Sequence, residues 1–253
     1  MSLSTRVAVI IPAKDEADVI AATVRACRAI PMVDLVLVVD DGSDDDTQHV
    51  ARNAGAVVVR HSVNRGKASA SETGGSVVAM RDIEGRDPRL LLFVDADLGE
   101  SATSCAALVA AVEEGRTDLA IGVVPGLVDR TASARLARGA IQRATGWVAA
   151  QPLSGQRCIT REAFNAAAPL SHGWGVEVGM TIDVLATGYT VQEVPCDIRK
   201  RSGPRPHSQA RYRHILMAVT SRRLRGIRAP GGLVDSTRGR APRIGEPYSV
   251  PFN

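Results

Sequence analysis

The chain has 253 residues, a formal net charge of +4 at pH 7, 45% hydrophobic and 23% charged residues, an ordinary globular composition with length enough for a sizeable core. Aromatic residues make up only 3%, which argues against a stacking platform for single-stranded nucleic acid, and no apolar run approaches the ~18 residues that a membrane span needs. The cysteines Cys27, Cys105, Cys158 and Cys196 form no C-x-x-C pair and no zinc spacing. With no secretory signal at the start, a soluble cytoplasmic protein is the expectation, with peripheral contact to the inner face of a membrane left open.

In chain order, short apolar runs alternate with longer helical patterns. Residues 7–11, 35–39, 56–59, 90–94 and 119–121 predict buried strands. They are rich in Val, Leu and Ile rather than alternating, as parallel strands covered on both faces are. Residues 17–29, 47–54, 68–81 and 102–114 predict the intervening helices, with capping oxygens offered at 43–46 and by Ser101. This order predicts an α/β fold that binds ligands at the carboxyl ends of its strands. Beyond Gly122 the pattern predicts a helix over 132–150 weakened at Gly139 and Gly146, a strand over 157–160, a helix over 176–186, a strand over 190–194 and a basic helix over 209–225. From Gly226 onward Gly, Pro, Ser and Arg dominate, and a flexible basic tail over 226–253 is expected.

Each acidic candidate follows a predicted strand: "PAKDEAD" (12–18), "DDGSDDDT" (40–47) and "DADLGE" (95–100). If these strands are parallel, the three loops meet at one sheet edge, and their mutual repulsion calls for a cation or a donor-rich ligand. Alternation along an extended backbone puts Asp95 and Asp97 on one side, with Ala96 opposite. Two hard oxygen ligands suit Mg²⁺ or Mn²⁺, completed by water and phosphate oxygens. The competing reading is a helix cap, for which Ser101 is better placed. Asp40 and Asp41 suit ribose hydroxyls or a base N–H, or else an ordinary turn. Lys67 in "NRGK" opens the third helix, where an anionic ligand is favoured. Neither a Walker loop nor a G-x-G-x-x-G after the first strand is present.

"VIIPAKDEADVI", "VVDDGSDDDT", "NRGKASA" and "LLFVDADL", in this order and spacing, resemble the nucleotide-sugar-binding half of family 2 glycosyltransferases, the GT-A fold. The resemblance covers roughly residues 6–122. It continues through "LSGQRCITREAF" and "GWGVEVGMTIDVLATGYTVQEVPCDIRKR", which resemble the acceptor half of polyprenyl-phosphate (dolichyl-phosphate) sugar transferases and glucosyl-3-phosphoglycerate synthases. The resemblance implies a mixed sheet with helices on both faces. It implies one domain over 1–225, with a nucleotide-sugar half (6–122) and an acceptor half (123–225). Asp95 and Asp97 would bind the divalent metal that holds the donor diphosphate, and Asp40 would contact the nucleoside. Pro12, Ala13, Asp15 and Glu16 would line the nucleotide pocket, with Lys67 near the base or phosphates. Asp15 stands where many relatives carry Asn, and Gly99 where polyprenyl-phosphate enzymes often carry Gln. The third metal ligand is therefore open, with His207 in "GPRPHSQ" either supplying it or lying as a solvated loop histidine.

The family is inverting, so the resemblance implies a single in-line displacement at the anomeric carbon. A neutral acceptor hydroxyl needs a general base, for which Glu177 in "GWGVEVG" is the candidate. The competing reading is a salt-bridged acid at a helix start. Asp183, six residues on, faces elsewhere and reads as a helix-surface acid. Trp174 would pack on a sugar ring or belong to the core. Ser154, Gly155, Gln156 and Arg157, with the basic segment from Arg199, are the natural acceptor-phosphate contacts, and Arg157 suits bidentate phosphate binding. Between Asp197 and Asp235 there is no acid, while Arg199, Lys200, Arg201, Arg205, Arg211, Arg213, Arg222, Arg223, Arg225 and Arg228 crowd in, which suggests an anionic partner or a solvated helix face. The helix over 209–225, with Ile215, Leu216, Val219 and Leu224 among arginines, suits an anionic membrane surface or packing on the domain.

The leading expectation is a metal-dependent transferase that moves a hexose from a UDP- or GDP-linked sugar to a phosphorylated acceptor. Polyprenyl phosphate is the first acceptor and a small soluble one such as 3-phosphoglycerate the second. A sugar-1-phosphate nucleotidyltransferase is disfavoured by the acidic loop at 12–18. A non-catalytic nucleotide-binding module is disfavoured by the intact Asp-x-Asp. No nucleic-acid partner is expected, and base, sugar and oligomeric state stay open.

Overall fold

The computed structural model describes residues 5–199, 208–224 and 226. Expectations placed on Lys200, Arg201, Arg205, His207, Arg225, Arg228 and the tail beyond Gly226 lie outside the described residues, as does the side chain of Arg223. The elements run β1 (Val7–Ala13), α1 (Ile20–Arg28), β2 (Val33–Asp40), α2 (Thr47–Asn53), β3 (Val57–Arg60), α3 (Lys67–Met80) and β4 (Leu90–Phe93). A 3-10 helix (Ala96–Cys105) follows, then α4 (Ala106–Glu113), β5 (Leu119–Val123), α5 (Ala132–Thr145), β6 (Arg157–Ile159) and α6 (Arg161–Ala167). The chain closes with a 3-10 turn (Gly173–Gly175), α7 (Val176–Ala186), β7 (Val191–Pro195) and α8 (Ser208–Leu224).

The strands form one seven-stranded sheet in the order β3-β2-β1-β4-β6-β5-β7. All neighbouring pairs are parallel except those of β6, which runs antiparallel to both β4 and β5. The continuous apolar runs have a direct cause. Val7, Val9 and Ile11 of β1 enter one core with α1 and the 3-10 helix, while Ala8 and Ile10 enter the other with α3, α6 and α7. Both faces are covered, so both strand phases must be apolar. The strand order reverses beside β1, between β2 and β4, and such a switch point opens a crevice at the carboxyl ends of the strands.

Several boundaries differ from the sequence expectation, each for a local reason. α1 starts at Ile20 rather than 17: the backbone N–H groups of Asp15, Glu16 and Ala17 are held by Ser43, Thr47 and Asp45, and a turn closes on Glu16 O, which accepts from Val19 N and Ile20 N. Ser43 thus holds the first loop instead of capping α2. Ser101 likewise caps nothing: it donates to Leu98 O and exchanges hydrogen bonds with the Arg199 backbone. α5 ends at Thr145, where Gly146 turns left-handed (φ 79°). α6 has no counterpart among the expected elements. Its signal was Thr160, whose hydroxyl accepts from Ala163 N, but seven residues are too few to show helical periodicity.

Asp183 is not a helix-surface acid. It is buried, and both its oxygens take the guanidinium of Arg222 from α8. With Ile215 and Val219 in a third core beside α5 and α7, this pair docks α8 on the body. Leu216 and Leu224, expected to act with them, are 45% and 84% exposed. Among the described residues no helix is long and apolar enough to cross a membrane.

Candidate active site

A cavity of about 680 Å³ opens at the carboxyl edge of β1 and β4, lined by Pro12 near the end of β1, by Lys14, Asp15 and Glu16 after it, and by Asp95, Ala96 and Asp97 after β4. Lys67, Asp129, Gln156, Trp174, Glu177 and Arg211 also line it, with Gln151 and Ser154 beside them. That size is typical of a small-molecule site. The topology therefore brings Pro12, Asp15, Glu16, Lys67, Asp95, Asp97 and Glu177 together, as expected.

The first two acidic loops are neutralised largely by backbone donors. Asp15 accepts from Asp44 N at 2.8 Å and pairs with Lys14 Nζ at 3.0 Å. The Asp44 N–H and then Lys14 hold its carboxyl below the ordinary value. Asp40 is fully buried: Oδ1 accepts from Ser43 N at 2.9 Å, and Oδ2 lies 3.4 Å from Arg60 Nε without hydrogen-bond geometry. The nucleoside contact expected of Asp40 is corrected on this ground, and Ala13, 4% exposed and beside Asp40 in the sheet, also lies behind the wall. Asp41 holds the loop that leads to α3, accepting from Arg65 N, Gly66 N and His61 Nδ1 at 2.7–2.8 Å.

At the centre stands Lys67, the first residue of α3. Its Nζ lies 2.7 Å from Asp95 Oδ1 and 2.9 Å from Glu177 Oε1, while Gln156 Nε2 donates to Asp95 Oδ2 at 2.8 Å. Burial works against the Lys67 charge, but the two carboxylates outweigh it and hold the ammonium above its ordinary value. The packing is close enough that a Cβ on Gly155 would sit 2.5 Å from Asp95 Oδ1 and 2.6 Å from Lys67 Nζ. Glu177 is thus both a cavity-wall carboxylate and the salt-bridged acid at a helix start that the sequence left as its alternative.

Arg157 does not reach the cavity. Its guanidinium, 2% exposed, donates to the carbonyls of Ser154, Glu177 and Pro152 and to Thr181 Oγ1. Burial lowers its pKa to about 10. The phosphate contact expected of Arg157 is therefore corrected: it braces the 152–157 segment against the first turn of α7.

Asp95 and Asp97 share the cavity, but not through strand alternation. Asp95 is extended (φ −68°, ψ 144°) and the 3-10 helix begins at Ala96. The turn passes through Gly99 at φ 54°, ψ −139°, a conformation costly for any side chain. Thr23 of α1, fully buried, pins it: its hydroxyl donates to Ala96 O at 2.7 Å and accepts from Gly99 N at 2.8 Å. Thr23→Val keeps the shape and removes both bonds. Urea unfolding should show a loss of about 1–3 kcal/mol, and a variant as stable as wild type would remove Thr23 from this role.

Thr23 was not anticipated, and Gly155 and Gln156, expected as acceptor-phosphate contacts, instead pack against Asp95. A threonine inside an amphipathic helix carries no distinguishing signal. Gln156 precedes its strand, and because β6 is antiparallel its leading end reaches the edge that the parallel strands reach with their trailing ends.

The glycosyl transferase family 2 model matches residues 8–168. Glycosyltransferase AglJ of Haloferax volcanii is 30% identical over 199 residues, which span 75% of this chain and 61% of that protein. Glucosyl-3-phosphoglycerate synthase of Mycolicibacterium paratuberculosis is 26% identical over 239 residues, 85% of this chain and 72% of that one. The crystal structure of the Mycobacterium tuberculosis glucosyl-3-phosphoglycerate synthase with Mn²⁺, uridine diphosphate and phosphoglyceric acid superimposes with a TM-score of 0.71 at 26% identity, covering 90% of this chain and 81% of that one. Its complex with Mg²⁺ and uridine diphosphate gives 0.71 at 25%, covering 90% and 82%. With the GT-A sheet order in place and the family's sequence pattern running from β1 to the end of α6, the chain belongs to glycosyl transferase family 2.

Proposed function

We propose that the chain transfers a hexose from a UDP-linked sugar to a small phosphorylated acceptor. The observation that carries this reading is the convergence of Asp95, Asp97, Lys67 and Glu177 on one cavity at the β1–β4 switch point. The uridine donor and the acceptor class follow the structural relatives, which hold uridine diphosphate and phosphoglyceric acid.

Among the described residues no three His, Cys, Asp or Glu side chains gather in a metal cluster. Asp97 and Asp95 nevertheless fit a hard divalent ion that takes its remaining ligands from a diphosphate and water. Mg²⁺ or Mn²⁺ held there would supply charge stabilisation for the leaving nucleoside diphosphate. Lys67 adds fixed positive charge beside the same carboxylate. For an acceptor hydroxyl, Glu177 is the group in the wall that takes the proton.

Calorimetric titration tests the donor half. UDP should bind in the presence of Mn²⁺, more tightly than GDP, and lose affinity when the ion is chelated. A folded protein that binds neither nucleotide would end this reading. A polyprenyl-phosphate acceptor is the second reading, favoured by Leu216, Met217 and Leu224, which are 45%, 58% and 84% exposed on α8. Turnover that requires detergent or lipid would support it.

A further inference from the structure

The turn Gly173–Gly175 and helix α8 form a unit that places one aromatic ring and one cation in the cavity wall. A Cβ on Gly173 would fall 2.4 Å from His214 Nδ1, and one on Gly175 would fall 2.7 Å from Ala218 Cβ and 2.9 Å from His214 O. Glycine on both sides of Trp174 is what lets α8 approach this closely. Trp174 N donates to His214 Nδ1 at 3.4 Å. Arg211, His214 and Ala218 are spaced i, i+3 and i+7, so they share the helix face that meets the turn. Further along, the buried Arg222–Asp183 pair and the Ile215 and Val219 contacts fix the same helix. Arg211 is placed by packing.

Trp174 is 37% exposed and lines the cavity instead of entering the core. The Arg211 guanidinium lies over its ring, 4.4 Å from the centroid. A cation–π contact engages the face of the guanidinium and leaves the in-plane N–H donors for a second partner. The other cations of the wall are committed: Lys67 to Asp95 and Glu177, Lys14 to Asp15 at 3.0 Å and Asp44 at 3.7 Å. Among the described residues no carboxylate pairs with Arg211.

We infer that Arg211, seated on Trp174, binds the phosphate of the acceptor through the edge of its guanidinium. This rests on the transferase reading and makes that cation its acceptor-specificity residue. A phosphomonoester matches the planar fork of donors, and it can belong to a soluble acid or to a lipid headgroup.

The test compares wild type with Arg211→Met, Arg211→Lys and Trp174→Leu. UDP binding in Mn²⁺ is measured by calorimetry, and transfer from UDP-glucose to phosphoglyceric acid and, separately, to a polyprenyl phosphate in detergent micelles is measured by turnover. Arg211→Met should raise the acceptor KM roughly 10-fold or more, and Arg211→Lys less. Donor affinity and thermal midpoint should stay near wild type. The acceptor that shows the rise identifies the source of the phosphate. An unchanged acceptor KM in Arg211→Met, or an equal loss of UDP affinity, would overturn the inference. So would a wild-type protein that binds UDP and glucosylates neither phosphomonoester, with the donor reading left standing. A wild type that does not bind UDP would remove the donor reading and this inference with it.

Discussion

Asp97→Ala should lower kcat/KM by about 10³-fold or more and abolish the Mn²⁺-dependent part of UDP binding, while the fold survives. Asp97 sits in the first turn of the 3-10 helix and faces the cavity. The shape of that turn is set by the Thr23 hydroxyl on Ala96 O and Gly99 N, neither of which involves the Asp97 side chain. The loss of activity should therefore exceed any loss of stability. Calorimetry with and without Mn²⁺, beside a thermal melt, reads both. Full turnover in the variant would show that the metal and diphosphate are held elsewhere.

Lys67→Met should be the most damaging single change to the site's stability. It leaves Asp95 and Glu177, 17% and 8% exposed at the side chain, facing one another without the ammonium between them. Removing one partner from such a buried arrangement costs about 3–5 kcal/mol. In the wild type the folded-state Lys67 pKa lies above its ordinary 10.5. Its contribution is therefore fully present below that value and lost only as pH rises through the folded pKa. Urea midpoints at pH 7 and 9, both below 10.5, should therefore show a similar deficit for Lys67→Met, and Lys67→Arg should recover part of it. A Lys67→Met protein as stable as wild type would remove the ammonium from this role.

The sequence makes the sheet edge legible because parallel strands buried on both faces announce themselves as apolar runs, and the polar residues that follow mark where they end. Asp95, Asp97, Lys67 and Glu177 could be placed near one another from that logic and from the family pattern. Burial of polar side chains was not legible. Asp40 follows an apolar run as Asp95 does, yet β2 carries Asp40 into the sheet while β4 ends at Phe93, before Asp95. Arg157 reads as a phosphate ligand because an arginine beside Ser-Gly-Gln carries no sign that carbonyl oxygens will saturate it. Asp183 and Arg222 are separated by 39 residues, and nothing local tells a buried ion pair from two surface charges.

The placement of β6 has a consequence for assembly of the chain. The order β3-β2-β1-β4 is completed by the first 93 residues, whereas the strand that covers the far side of β4 begins only at Arg157. Until then the edge of Leu90–Phe93, four consecutive apolar residues, stands open. An open, apolar strand edge is a template for pairing with another chain. A nascent or truncated polypeptide that stops short of β6 therefore has the means to stack on its own copies, and pairing with residues 157–159 is the step that closes that edge.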